Sequence, residues 1–170
     1  MNETLRSAAL ALAGRFGAVR QEFRDEITLI LSPEHIVTAA QALRDEFGFE
    51  MLLDVTAADY WPEESPRFHI IYQFYSQRNN DLLRLRTPLN GNFPATQTIE
   101  TVYPGANWYE REVFDMFGVR FEGNHDLRRI IMPFDWQGHP LRKDYPLGYE
   151  EVQFSFNFEE IELRKPRPKE

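Results

Sequence analysis

The sequence predicts an α+β fold: a single small domain with a largely antiparallel sheet covered by helices, followed by an extended C-terminal segment. Three observations carry this. Leu5, Ala9, Leu12 and Phe16, and again Ile36, Ala40, Leu43 and Phe47, recur at the spacing of an amphipathic helix. Residues 68–76 are nearly all apolar or aromatic, and Leu83 and Leu85 then alternate with Arg84 and Arg86, as in a half-buried strand. Helix, strands, helix and further strands follow one another with no linker before residue 118.

In order, residues 3–16 read as a helix stopped by Gly17. Residues 18–23 and 26–31 read as two strands around an Arg24-Asp25 turn. Ser32-Pro33 places a capping hydroxyl and a first-turn proline before the second helix, which Gly48 ends. Residues 49–57 read as a buried strand, and the two prolines of 59–67 mark a loop. Residues 68–76 suggest a central strand with both faces covered, turned back by Asn79-Asn80-Asp81 into residues 82–87. Residues 88–94 form a loop with an Asn-Gly turn, and 96–102 suggest a short helix closed by Pro104-Gly105.

Composition narrows the function. The chain has 170 residues, no cysteine and a net charge of −8. Without cysteine it forms no disulfide, no thiolate zinc site and no iron–sulfur cluster of its own. An acidic chain with no basic block suits neither nucleic acid nor an anionic membrane surface. No apolar run approaches the ~20 residues that span a bilayer, and no signal peptide is read. Only 3 of the 19 basic residues are lysine, and aromatics make up 14%. Arginine and aromatics are enriched in buried protein contacts, although a GC-rich genome and an ordinary core give the same bias.

The densest pattern runs from Asn107 to Leu147. Asn107 reads as an N-cap, with Glu110 reaching back as in a capping box, and Gly118 as the left-handed stop. Tyr109, Val113, Phe114, Met116 and Phe117 form an apolar stripe. Glu110, Arg111, Glu112 and Asp115 make the opposite, solvated face, with Arg111 and Asp115 at ion-pair spacing. Residues 119–147 then form an irregular segment in which Arg120, Arg128, Arg129, Arg142 and Lys143 mix with Glu122, Asp126, Asp135 and Asp144. These charges either satisfy one another over a long loop or hold a partner by bidentate pairs around an apolar centre.

Catalytic patterns are missing. His35, His69, His125 and His139 lack a second ligand at helical spacing, and there is no HExxH, GxGxxG, GxxxxGK[ST] or GxSxG. His125-Asp126 is the nearest thing to a metal or acid–base pair, and His139-Pro140 reads as a turn in which the ring fixes the backbone. Glu110, Glu112 and Asp115 could serve a small stand-alone hydrolase, but helix-surface carboxylates are expected from the helix dipole alone. Residues 148–170 look non-globular: Phe154, Phe156 and Phe158 alternate with Ser155 and Asn157, an aromatic face at period two, before a proline-rich end.

EREVFDMFGV at 110–119, DLRRIIMP at 126–133 and DWQGHPLRKDYPL at 135–147 resemble the signature region of the 30 kDa (NuoC-type) subunit of bacterial respiratory complex I, NADH:quinone oxidoreductase. The tail YEEVQFSFNFEE resembles the family's continuation. Where the family usually has Gly-His-Pro-Asp, this chain has Gly123-Asn124-His125-Asp126. The resemblance implies a cofactor-free structural subunit of the peripheral arm, on the cytoplasmic side of the bacterial inner membrane. FMN and the iron–sulfur clusters would lie in partner subunits. The chain would dock chiefly on the quinone-site (D) subunit, and also on the B and I subunits. A related membrane-bound hydrogenase or other donor-linked dehydrogenase is the alternative. The expected organisation is a domain over 1–118, a signature segment packed on it over 119–147, and a docking arm over 148–170. Expected partner contacts are Glu110, Arg111, Arg128, Arg129, Trp136, His139, Arg142, Lys143, Asp144, Tyr145, Phe154, Phe156 and Phe158, with no catalytic, cofactor or metal residue.

Overall fold

The computed structural model describes residues 3–146 and 156–164. Helix α1 (Glu3–Phe16) ends at Gly17, whose φ of 62° gives the left-handed stop. Strands β1 (Val19–Phe23) and β2 (Glu26–Ile30) form a hairpin through Arg24 and Asp25, both at positive φ. After a single 3-10 turn at Pro33–His35 comes α2 (Ile36–Asp45). The Ser32 side chain makes no capping bond there, so the proline rather than the hydroxyl starts this helix.

Strands β3 (Met51–Asp59), β4 (Phe68–Ser76) and β5 (Asp81–Leu89) complete a five-stranded sheet of order β1-β2-β5-β4-β3. All pairs are antiparallel except β2–β5. Phe68, Ile70, Tyr72 and Phe74 of β4 and Leu83, Leu85 and Leu89 of β5 face the core with Leu12 of α1 and Leu43 of α2. Two expectations are corrected. Strand β3 is an edge strand with Met51 and Leu53 exposed, not a buried one. The second face of β4, carrying His69, Ile71, Gln73 and Tyr75, is only half-covered, because the core helices pack on the other side. Tyr60 partly roofs this face, meeting the His69 ring edge-on at 5.0 Å.

The short helix expected over 96–102 is instead strand β6 (Ala95–Gln97), paired in parallel with β7 (Arg120–Glu122), followed by one turn closed by Tyr103 N–H on Ile99 O at 2.9 Å. The β-branched Thr96 and Thr98 suit a strand, and the apolar spacing of Ile99, Val102 and Tyr103 marks a turn too short to become a helix. Helix α3 (Ala106–Phe117) begins a residue before Asn107, so Asn107 is no cap; Gly105 occupies that position without a side-chain bond. Gly118 closes α3 at φ 73°. The period-two aromatic face expected at Phe154, Phe156 and Phe158 is not kept in its described part. Phe154 lies outside the described residues, Phe156 stands in a turn, and Phe158 opens helix α4 (Phe158–Arg164). Glu159 and Glu160 in the first turn favour that helix through its dipole.

The hairpin yields a direct test. Two consecutive residues at positive φ are what Asn-Gly adopts at least cost. Replacing Arg24-Asp25 by Asn-Gly should raise stability by about 0.5–1 kcal/mol in urea denaturation.

Candidate functional site

The last four carbonyls of α3 have no partner within the helix, and the chain that follows supplies them all. Gly118 N–H donates to Phe114 O at 2.8 Å and Leu141 N–H to Met116 O at 3.0 Å. The His139 ring Nδ1–H donates to Asp115 O at 2.9 Å, and Arg142 Nε to Phe117 O at 2.5 Å. Burial holds the His139 pKa below its usual value, which keeps the ring a neutral donor. Gly118 is required twice over: by its positive φ, and because a Cβ there would stand 2.5 Å from the His139 ring. The expectation that His139 fixes the local backbone is met.

The face of α3 that reads as solvated is mostly inside. Asp115 is fully buried. Its Oδ2 accepts the N–H groups of Ile130, Ile131 and Met132 at 3.0, 2.7 and 2.8 Å, and its Oδ1 accepts Arg129 Nη1 at 2.6 Å. Burial alone would raise its pKa, but these donors outweigh it and hold the carboxylate below the usual range. The expected Arg111–Asp115 pair is therefore not made. Arg111 donates through Nε to Arg128 O at 3.2 Å and stands 3.7 Å from Asp126 instead.

One turn earlier, Glu110 is also fully buried and does not reach back as a capping-box partner. It accepts Thr98 Oγ1 at 2.5 Å, Ile99 N–H at 2.9 Å and Asn124 Nδ2 at 2.8 Å. Burial raises its pKa against these donors. Asn124 also accepts from Asn107 Nδ2 at 3.3 Å. The carboxylates of the acidic helix thus diverge: Glu110 faces the β6 end, Asp115 faces residues 129–132, and Glu112 is exposed. They do not converge on a common cleft as a hydrolytic pair would.

A second clasp was not foreseen from the sequence. Arg67, just before β4, is wholly enclosed between the rings of Trp61 at 4.9 Å and Phe68 at 4.7 Å. It pairs bidentately with Asp59 at 3.0 and 3.0 Å and with Asp144 at 2.7 and 3.1 Å, while Nη1 also reaches Asn92 Oδ1. All five of its N–H donors are engaged. Asp59 also accepts Lys143 N–H at 2.9 Å, so the pair pins the 142–145 turn to the sheet. Asp59 lies 8 residues before Arg67 and Asp144 lies 77 after it, so no local periodicity could disclose the clasp.

The thirteen expected partner contacts therefore divide. Glu110 is fully enclosed by its own chain and is removed from the set. Arg111 is nearly buried, Asp144 is turned onto Arg67, and Arg129, His139 and Arg142 hold backbone groups. Tyr145 packs against Gly138, where a Cβ would meet its ring at 2.7 Å. Trp136 is half-buried, with an indole N–H that meets no acceptor among the described residues. Arg128, Lys143, Phe156 and Phe158 are exposed, and Phe154 lies outside the described residues. Residues beyond the set are open as well: Phe134 at 93%, Phe93 at 95% and Trp108 at 60% of full exposure. His125 is bound to Glu100. Among the described residues no group of three or more His, Asp or Glu stands where it could hold a metal ion, and no helix is long and apolar enough to cross a membrane.

Opposite pH signs follow for the two ends of α3. Asp59, Asp115 and Asp144 are all held below the usual range, so their contribution is complete above the unfolded value near ~4 and is lost as pH falls through their folded values. Glu110, held above its unfolded value, costs stability as pH rises through its folded value. The urea midpoint should fall steeply below pH ~4. Glu110→Gln should remove the loss on the alkaline side yet cost about 1–3 kcal/mol at pH 7, because an amide sets its NH2 against a donor in either orientation, Thr98 and Asn124 in one and the Ile99 N–H in the other.

Residues 29–151 match the family model described as respiratory-chain NADH dehydrogenase, 30 Kd subunit. The chain is 44% identical over 151 residues to the C subunit of NADH-quinone oxidoreductase from Roseiflexus sp. (strain RS-1), covering 88% of this chain and 86% of that one. It is 44% identical over 127 residues to the same subunit of Geobacter sulfurreducens, covering 75% and 78%. Among solved structures, the trypsin-resistant fragment of Nqo5 superposes with a TM-score of 0.62 at 26% identity, covering 73% of this chain and 99% of that fragment. A chain of the archaeal membrane-bound sulfane sulfur reductase, at 22% identity, shares the fold with a TM-score of 0.73 over 84% of this chain and 85% of its own. The signature segment that caps α3 lies within the matched residues, and the chain belongs to the family of the 30 kDa subunit of respiratory-chain NADH dehydrogenase, the C subunit of NADH-quinone oxidoreductase.

Proposed function

We propose that the chain is a cofactor-free structural subunit of the peripheral arm of proton-translocating NADH:quinone oxidoreductase. It holds the quinone-site (D) subunit, and also the B and I subunits, in place on the cytoplasmic side of the bacterial inner membrane. FMN and the iron–sulfur clusters that carry electrons from NADH to quinone belong to its partners. The observation that carries this reading is the division of labour within the signature segment. Arg129, His139 and Arg142 turn inward to hold backbone groups, whereas Ile131, Phe134 and Leu141 are exposed, with Trp108 of α3 beside Arg111. A phenylalanine left in water forgoes roughly 1.5–3 kcal/mol of burial, and a cluster of such residues on a rigidly anchored loop marks a contact surface.

A second reading is the equivalent subunit of a related membrane-bound hydrogenase or other donor-linked dehydrogenase. The fold likeness to the sulfane sulfur reductase chain favours it at the level of architecture. The identity to the 30 kDa subunit of the NADH enzyme supports the first.

Recovery of tagged protein from detergent-solubilised membranes separates them. Co-purification of complex I subunits with NADH:quinone reductase activity is expected. A hydrogenase large subunit in their place would move the chain to the sister complex, and a lone monomer would overturn both readings. Ile131→Asp combined with Phe134→Asp should leave urea stability within about 0.5 kcal/mol per site while sharply reducing the recovered partners.

A further inference from the structure

The basic side chains of the signature segment are not all neutralised. Arg111, Arg128 and Arg129 line a groove of about 410 Å³ together with Met132 and Phe134. The carboxylates bound to these three guanidiniums are Asp115 and Asp126. Asp115 is fully buried and shared among Arg129 and three backbone N–H groups. Asp126 is held bidentately by Arg128 and is also the acid nearest Arg111, at 3.7 Å. Among the described residues Arg111 meets one acceptor within hydrogen-bonding distance, the Arg128 carbonyl, although it is nearly buried and its guanidinium lies 5.0 Å from the Trp108 ring. An enclosed guanidinium with idle donors, one positive charge in excess, in a chain of net charge −8, is a local reversal of sign.

We propose that this groove receives an acidic segment of a partner subunit, its carboxylate on Arg111 and Arg128 and a neighbouring apolar side chain against Met132 and Phe134. The proposal rests on the docking role above and names the chemistry of the docked segment. Three features select that occupant. The Nη donors of Arg111 and the Nη1 donors that Arg128 does not spend on Asp126 suit a carboxylate. Met132 and the exposed Phe134 offer an apolar wall that a free phosphate would not use. The chain's overall acidity repels extended polyanions and anionic bilayers, so the binding is confined to a short acidic stretch.

The test uses the assembled complex. A photo-reactive benzoylphenylalanine replaces Phe134 in the tagged full chain, the complex is purified and irradiated, and cross-linked peptides are sequenced. The expected product is a partner-subunit peptide with Asp or Glu within a few residues of the cross-link. Arg128→Glu should then lower partner recovery on the order of tenfold, more at low salt than at high salt, and reversing the identified acid to Arg should restore it. Should Arg128→Glu fail to accumulate, Arg128→Gln carries the same comparison. A cross-link to lipid, or to a partner peptide without an acid, overturns the proposal while leaving the docking reading intact, as does unchanged recovery with Arg128→Glu or Arg128→Gln. Failure of the tagged chain to bring down any partner overturns both.

Discussion

The last turn of α3 is the constraint on which the rest depends. A helix ending inside a protein must place four carbonyls, and here Gly118 and residues 139–142 take them all. That requirement explains why a loop of some twenty-five residues with little regular structure is nevertheless fixed. Asp115 supports the same segment from the side by binding three consecutive backbone N–H groups. A buried carboxylate is costly unless its oxygens are saturated, and this one is saturated by the segment it orders. Fold and signature segment are therefore interdependent: Val119 and Phe121 of the segment join the core, and Ile131, Phe134 and Leu141 face outward.

Much of the sheet was legible because it obeys simple periods. The alternation in β5, the Arg24-Asp25 hairpin and the stop at Gly17 all stand where the residues place them. The failures have physical causes. Residues 96–102 carry helical spacing for a single turn, and pairing with β7 decides their conformation. Asn107 and Glu110 have the chemistry of a cap, but α3 starts a residue earlier, and both side chains are drawn into long-range bonds with Asn124. Asn124 belongs to the turn where this chain departs from the family's usual Gly-His-Pro-Asp, and it donates one of the hydrogen bonds to the Glu110 carboxylate.

The site was harder to read because charge in a sequence carries no direction. Glu110, Arg111 and Asp115 look like a solvated face and are instead the interior layer joining α3 to the segment. Arg67 reads as the end of a loop and is the centre of a five-donor clasp linking the sheet to Asp144. Such pairs depend on the folded path of the chain, which local spacing does not encode. The residues most suited to meet a partner, Phe134 and Trp108 among them, were visible as part of an aromatic excess but not as a surface.

Amide hydrogen exchange on the full chain and on Asp115→Asn tests the central claim most directly, that one buried carboxylate orders the signature segment. The predicted result is protection of the Ile130, Ile131 and Met132 amides in the parent chain. In the variant that protection is lost, while the amides of β4 and β5 stay protected. Rapid exchange of those three amides in the parent chain, or equal protection in the variant, would contradict it.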